Sequence, residues 1–276
     1  MNYCKKAFFE MGGIECRQDG KDGIFLRITI EKMVWLVFLC LLVGGAERKY
    51  QETVRMDRFQ NKFLVESFST QWRMLEGEYA MVYYRENAEE ARMILDLADS
   101  YFPMVARDFS WNRKEKVEYV LYDDSLEMKQ ALQMKEEDAL PMGAYYHGAA
   151  AVLSPSLWAK GNEDWQRAEE FIENGPVVHE MLHFAMDEVS KGRYPHWFSE
   201  GVALYYEKKY TGFEWAKEEK AKSKEITMEE LYHGFDKLNP ALAYRKSYDW
   251  VRGFVSQYGE DALQELIRSG KMCLRP

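Results

Sequence analysis

The spacing of apolar positions changes period several times along the chain, and each change marks an element. Glu78 to Tyr84, EYAMVYY, reads as a strand, and Lys116 to Tyr122, KVEYVLY, rich in valine and tyrosine, reads as another. Between them Ala91, Ile94, Leu95, Ala98, Phe102 and Val105 fall on one face of a helix that begins near Ala88, with Pro103 a candidate bend. A charged helix is predicted over 125–137, and Gly143 to Leu153, GAYYHGAAAVL, predicts a hairpin turning at Gly148. Trp165 to Ile172 reads as a helix that stops at Asn174-Gly175-Pro176.

From there the pattern is mostly helical. Pro176 suits a first helical position, where a missing N–H costs nothing, and Lys191-Gly192 supplies a stop near Ser190. Pro195 starts a second helix. Thr227-x-x-Glu230 is a capping box, with Gly234 at the far end of its helix, and Tyr248 to Tyr258 forms a further helix closed by Gly259. Strands over about 76–160 followed by helices over about 163–272 predict an α+β fold, a small mixed sheet with helices and then a helical half. Residues 47–75 are mixed polar and apolar and predict a helical lead-in to a domain spanning 76–276.

Met33 to Val43, MVWLVFLCLLV, breaks this pattern as an unbroken apolar run of eleven residues followed by Gly44, Gly45 and Ala46. Spanning a bilayer takes about 20 residues, so the run fits a secretory leader cleaved after Ala46. A retained membrane anchor through 33–46 and a buried core helix are the alternatives, and residues 1–46 are read as an N-terminal extension of one of these kinds. With Cys4, Cys16 and Cys40 all in that extension, only Cys273 remains beyond it. An exported domain with one cysteine has no internal disulfide and relies on its core or on a metal. The formal net charge of −9 argues against a nucleic-acid partner, which needs a basic face.

Candidate chemistry sits at Val177 to Met186, VVHEMLHFAM. Residues four apart share a helix face, so His179 and His183 point the same way and can share a divalent ion, while Glu180 can reach a water bound to it. Val177, Val178, Met181, Leu182 and Phe184 make the rest of the helix apolar. Unpaired imidazoles and a carboxylate in such a core helix would be costly, and a metal ion relieves that cost. A catalytic zinc has three protein ligands and an open position. His196 and Glu200, in PHWFSEGVALYYE, are the candidates for the third. Asp187 and Glu207 are candidates to orient ligating histidines; His147 and His233 read as ordinary surface or loop residues.

HEMLH followed by PHWFSEGVALYYE resembles the gluzincin clan of zinc metallopeptidases, and within it the peptidase-MA-like families with an HExxH…WxxEGxA pattern. Met186 and Val189 stand where a metzincin would carry glycine and histidine. The resemblance covers roughly 76–270 and implies a thermolysin-like catalytic domain with one Zn²⁺ per chain. It implies His179, His183 and Glu200 as metal ligands, with His196 the rival to Glu200, and Glu180 as general base. Tyr244-Arg245-Lys246-Ser247 resembles the Y-x-K-G stretch of aminopeptidase-type gluzincins, with serine for glycine. That likeness makes Tyr244 the expected oxyanion donor and Tyr248 the second choice.

The activity so implied is peptide-bond hydrolysis by metal-activated water, with a peptide or protein as partner. Aminopeptidase relatives hold the substrate's free amine with an acidic residue. The corresponding Gly143-Ala144-Tyr145-Tyr146-His147 has none, which favours internal cleavage along an edge strand. The alternative is a catalytically silent relative that binds peptide or cell-envelope material. Either would be exported, released or held at a membrane. Cys273 has no histidine near it in sequence and does not read as a nucleophile.

Overall fold

Three parallel strands form the middle of the sheet and two antiparallel ones its edges. The computed structural model describes residues 72–146 and 148–270. The apolar run and its expected leader or anchor at 33–46, most of the 47–75 lead-in, His147 and Cys273 lie outside the described residues. Strands β1 (Arg73–Glu76), β2 (Ala80–Tyr84), β3 (Val117–Tyr122), β4 (Gly143–Tyr146) and β5 (Ala149–Leu153) are arranged in the order β1-β2-β3-β5-β4. β2, β3 and β5 run parallel, β1 pairs antiparallel with β2, and β4 with β5.

The described end of the lead-in, Arg73 to Glu76, is a strand rather than the expected helix. Its partner explains this: Leu75 pairs with Val82, and the turn between the two is tied to a helix by a carboxylate. Asp99 accepts the backbone N–H groups of Glu78 and Tyr79 at 2.8 Å and of Ala80 at 3.0 Å. Four residues of weak local preference yield to tertiary pairing.

Eight α-helices follow among the described residues: α1 (Ala88–Phe109), α2 (Ser125–Ala131), α3 (Asp164–Asn174), α4 (Val177–Ser190), α5 (His196–Thr211), α6 (Met228–Gly234), α7 (Pro240–Tyr258) and α8 (Glu260–Ser269). The α+β architecture is as predicted. α1 runs through Pro103 without ending and places Ala91, Ile94, Leu95, Ala98, Phe102 and Val105 in the core. α2 stops at Ala131, short of the expected 137; Gln133 turns left-handed, with φ of 56°, and the chain leaves the helix there. α7 begins eight residues before the expected Tyr248, because Asn239 caps it by accepting the Leu242 N–H at 3.2 Å and Pro240 fills its first turn. None of these helices is long and apolar enough to cross a membrane.

Alternation along the central strands buries both faces of the sheet. Val117, Tyr119 and Leu121 of β3 join the main core with α1, α4 and α5, while Val120 and Tyr122 join a smaller cluster with Met128 of α2. In the helical half, α5 packs on both α4 and α7. A Cβ at Gly201 of α5 would lie 2.5 Å from the Ser247 carbonyl oxygen and 2.9 Å from Val251 Cγ2, so the missing side chain sets how closely α5 and α7 approach.

Candidate metal centre and its cleft

α4 and α5 are joined by a short connection that turns the chain back on itself. Lys191 closes α4 in a left-handed conformation, and Pro195 caps α5 with extended backbone. Pro176 likewise stands at the cap of α4 rather than inside its first turn. The two helices present His179 and His183 from one side and Glu200 from the other. One ligand atom of each lies within 4.8 Å of the other two, so the three could hold a metal ion; among the described residues no other such group occurs. His179 Nε2 is 3.1 Å from Glu200 Oε2, and His183 Nε2 is 3.5 Å from Glu200 Oε1.

The other ring nitrogen of each histidine is engaged as well. His179 Nδ1 lies 3.2 Å from Glu207 Oε2, and His183 Nδ1 lies 2.8 Å from Ser199 Oγ. Such partners fix a ring's orientation and tautomer. Of the two carboxylates considered for such a place, Glu207 makes the contact to His179. Asp187, the other candidate, accepts the Tyr145 hydroxyl at 2.8 Å. Ser199 escaped sequence reasoning because a serine beside Glu200 has no signature until the helix pair is assembled.

Burial and charge oppose each other here. Glu200 is buried, which alone would raise its pKa; His183 and the hydrogen bonds from His179, His183 and His196 hold it well below the usual carboxylate range. Burial would lower the pKa of His179, but Glu207 and Glu200 hold it well above the ordinary imidazole value. The charges of this largely buried donor set are balanced by one another and by Glu207 and His196 beside it.

Glu180 lies beside the three and contacts the sheet. It is buried, and burial raises its pKa, while the Tyr145 backbone N–H donates to it. A Cβ at Gly143 would come within 2.5 Å of Pro176 Cβ and 2.9 Å of Glu180 Oε1, so edge strand β4 can lie this close to α4 only with glycine there. His196 occupies a different position from the three. Its Nε2 lies 3.0 Å from Glu200 Oε1 and its Nδ1 2.8 Å from Asp236 Oδ1, and its side chain is half exposed. Its pKa is raised to about 9 by the bond to Glu200, and then by Asp236, against its partial burial.

A cavity of about 690 Å³ opens over these groups. It is lined by His179, Glu180, His183 and Glu200, by Gly143 to Tyr145 of β4, and by Tyr244 of α7. Tyr244 packs edge-on against Trp215 and Phe235, and burial, with Glu200, Glu180 and Asp236 nearby, raises its phenol above the ordinary tyrosine value. Tyr248, one turn on, is buried against Arg245 instead and does not line the cavity. His233 packs on Tyr232 at the surface of α6, away from the lining. No protein family and no curated protein matches this chain.

Proposed function

We propose that the chain is a zinc-dependent peptidase that cleaves within peptide chains and acts outside the cytoplasm, released or held at a membrane through 33–46. The observation that carries this reading is the convergence of His179, His183 and Glu200 within 4.8 Å at a cavity shared with the buried Glu180. Two imidazoles and one carboxylate are a donor set suited to a catalytic zinc, and they leave room for a further ligand. When bound, the ion would supply Lewis-acid polarisation of a carbonyl and lower the pKa of water to about 7.

Each remaining role falls to a residue of this chain. Glu180 takes the proton of the attacking water and passes it to the leaving amine, a task suited to a carboxylate whose pKa burial raises. Tyr244, protonated at any physiological pH, donates to the carbonyl oxygen as negative charge develops on it. Glu207 and Ser199 hold the two histidine rings. β4 is an edge strand whose Gly143 to Tyr145 line the cavity, so an extended peptide can add to it by backbone pairing. Among the lining residues there is no Lys or Arg to hold a terminal carboxylate, His196 is already paired with Glu200 and Asp236, and each lining glutamate already serves the centre. Both features favour internal cleavage.

Metal analysis of the purified chain, beside digestion of a peptide library by the wild type and Glu180→Gln, tests the reading. About one zinc in both proteins and cleavage only in the wild type is the expected result. Absence of metal defeats the proposal. Metal with no cleavage in either protein points instead to a peptide- or envelope-binding protein.

A further inference from the structure

The segment that follows α5 is held by an ion pair to a buried arginine, with no part in the chemistry of the centre. Phe213 and Trp215 line the cavity, while Glu214 between them turns away from it. Glu214 accepts from Arg245 Nη1 at 2.8 Å and also pairs with Lys208. Arg245 is completely buried, and Asp249 holds its other edge with two hydrogen bonds of 2.9 and 3.1 Å. The guanidinium also lies over Tyr248, 4.8 Å from the ring centre.

Neighbouring residues of α7 thus do different things. Tyr244 faces the cavity and meets the edge of Trp215 at 5.4 Å, while Arg245 clamps the residue just before Trp215. Ala216 then leaves the segment at φ of 47°. A left-handed alanine costs about 1 kcal/mol and persists only where its surroundings over-determine it. A buried arginine with two carboxylates is weak evidence for stability, since desolvation offsets much of the attraction. What it supplies here is a fixed geometry, with Phe213 and Trp215 both facing the cavity and Glu214 turned from it to Arg245.

We propose that Phe213 and Trp215 form the subsite for a large apolar or aromatic side chain of the substrate, next to the bond that is cut, and that Glu214 positions them through Arg245. This rests on the peptidase reading. Trp215 touches Tyr244, which in that reading meets the reacting carbonyl, so a side chain on Trp215 belongs to a residue flanking that bond. The lining contains glutamates and no Lys or Arg, and its half-exposed His196 is already paired with Glu200 and Asp236, so an acidic side chain is the poorest match there.

The test uses the full zinc-loaded chain and a set of blocked peptides that differ at one position, carrying Phe, Leu, Ala or Asp. The wild type should favour Phe and Leu over Ala by about tenfold or more in kcat/KM, with Asp the poorest. Trp215→Ala should bring the Phe-to-Ala ratio down about tenfold. Glu214→Gln should lower it severalfold through KM rather than kcat, with zinc content unchanged. Phe213 and Trp215 are only partly buried, so truncation spares the core. A wild-type ratio near one, or a ratio that Trp215→Ala leaves intact, overturns the proposal. If the wild type cuts none of the peptides, the peptidase reading fails, and the subsite is read by calorimetry of the same peptides on zinc-loaded Glu180→Gln. Tighter binding of the Phe peptide, lost with Trp215→Ala, upholds the subsite; equal binding of Phe and Ala peptides overturns it.

Discussion

His179 Nε2 and Glu200 Oε2 meet at 3.1 Å across two helices, 21 positions apart in sequence. Without a cation, a proton between them balances their charges; a divalent ion would take its place. Such an ion would link α4 to α5 and become part of the folding free energy.

The expected consequence is a melting temperature that follows the metal. Chelation should lower it and zinc restore it, by an amount that grows with free zinc, about 2.7 kcal/mol at a hundred times Kd. His183→Ala and Glu200→Ala should retain no stoichiometric ion and show no response to added zinc. Elemental analysis with scanning calorimetry reads both, and a wild-type transition indifferent to chelator and zinc alike would contradict the assignment of this centre.

Glu207 touches the proposed centre only through His179, at 3.2 Å from Nδ1. Glu207→Gln should therefore keep the three ligands but weaken zinc binding by about 10–100-fold, the usual effect of removing a partner that orients a ligating histidine. Competition titration with a chromophoric chelator measures this. An affinity equal to that of the wild type would show that the His179 ring is held without it.

Much of this centre was legible because it lies on two helices with strong local signals. The four-residue spacing of His179 and His183 fixes their common face, and Pro176, Lys191-Gly192 and Pro195 bracket the helices to within a residue. Whether Glu200 or His196 completes the group was not legible from spacing alone. The two are one helical turn apart, and only the packing of α5 on α4 puts Glu200 against both rings and leaves His196 half exposed beside Asp236. β1 was missed because RMLE has no alternation of its own, and its pairing with β2 and the Asp99 bonds at the turn are contacts beyond the segment itself. The start of α7 was missed although Asn239-Pro240 is a capping signal. That start puts Tyr244, Arg245, Tyr248 and Asp249 on one helix and separates Tyr244, at the cavity, from Tyr248, in the core. The wall of Phe213 and Trp215 depends on the long-range pair of Glu214 with Arg245, which no local pattern announces.

The glycine after Glu200 has a packing reason that can be tested by itself. A methyl at Gly201 meets the Ser247 backbone at 2.5 Å, and a carbonyl on a neighbouring helix cannot rotate away as a flexible side chain would. Gly201→Ala should therefore destabilise the fold by about 1–3 kcal/mol through overpacking, despite alanine's better helix propensity. It should also weaken metal binding, since α5 carries Glu200. Denaturant unfolding and zinc titration report the two effects. Full stability in Gly201→Ala would mean that α7 can shift away at little cost.

Glu90, far from the centre on α1, gives a pH dependence of definite sign. Its carboxylate is buried and accepts the Ser154 hydroxyl at 2.6 Å. Burial raises its pKa above the ordinary 4.5, Asp123 adds to this, and bonds from Ser154 and the Ser156 backbone oppose it. In the folded chain the group therefore keeps its proton at pH values where the unfolded chain has lost it. With more protons bound in the native state, stability contributed by Glu90 is present below the unfolded pKa and declines as pH rises through the folded pKa. Glu90→Gln retains an acceptor for Ser154 without a charge to bury. The variant should be at least as stable as the wild type at pH 7, and its stability should fall less between about pH 4.5 and neutrality. Urea unfolding at a series of pH values compares the two slopes. A steeper decline in Glu90→Gln than in the wild type would show that the carboxylate is better stabilised in the fold than its burial and the nearby Asp123 imply.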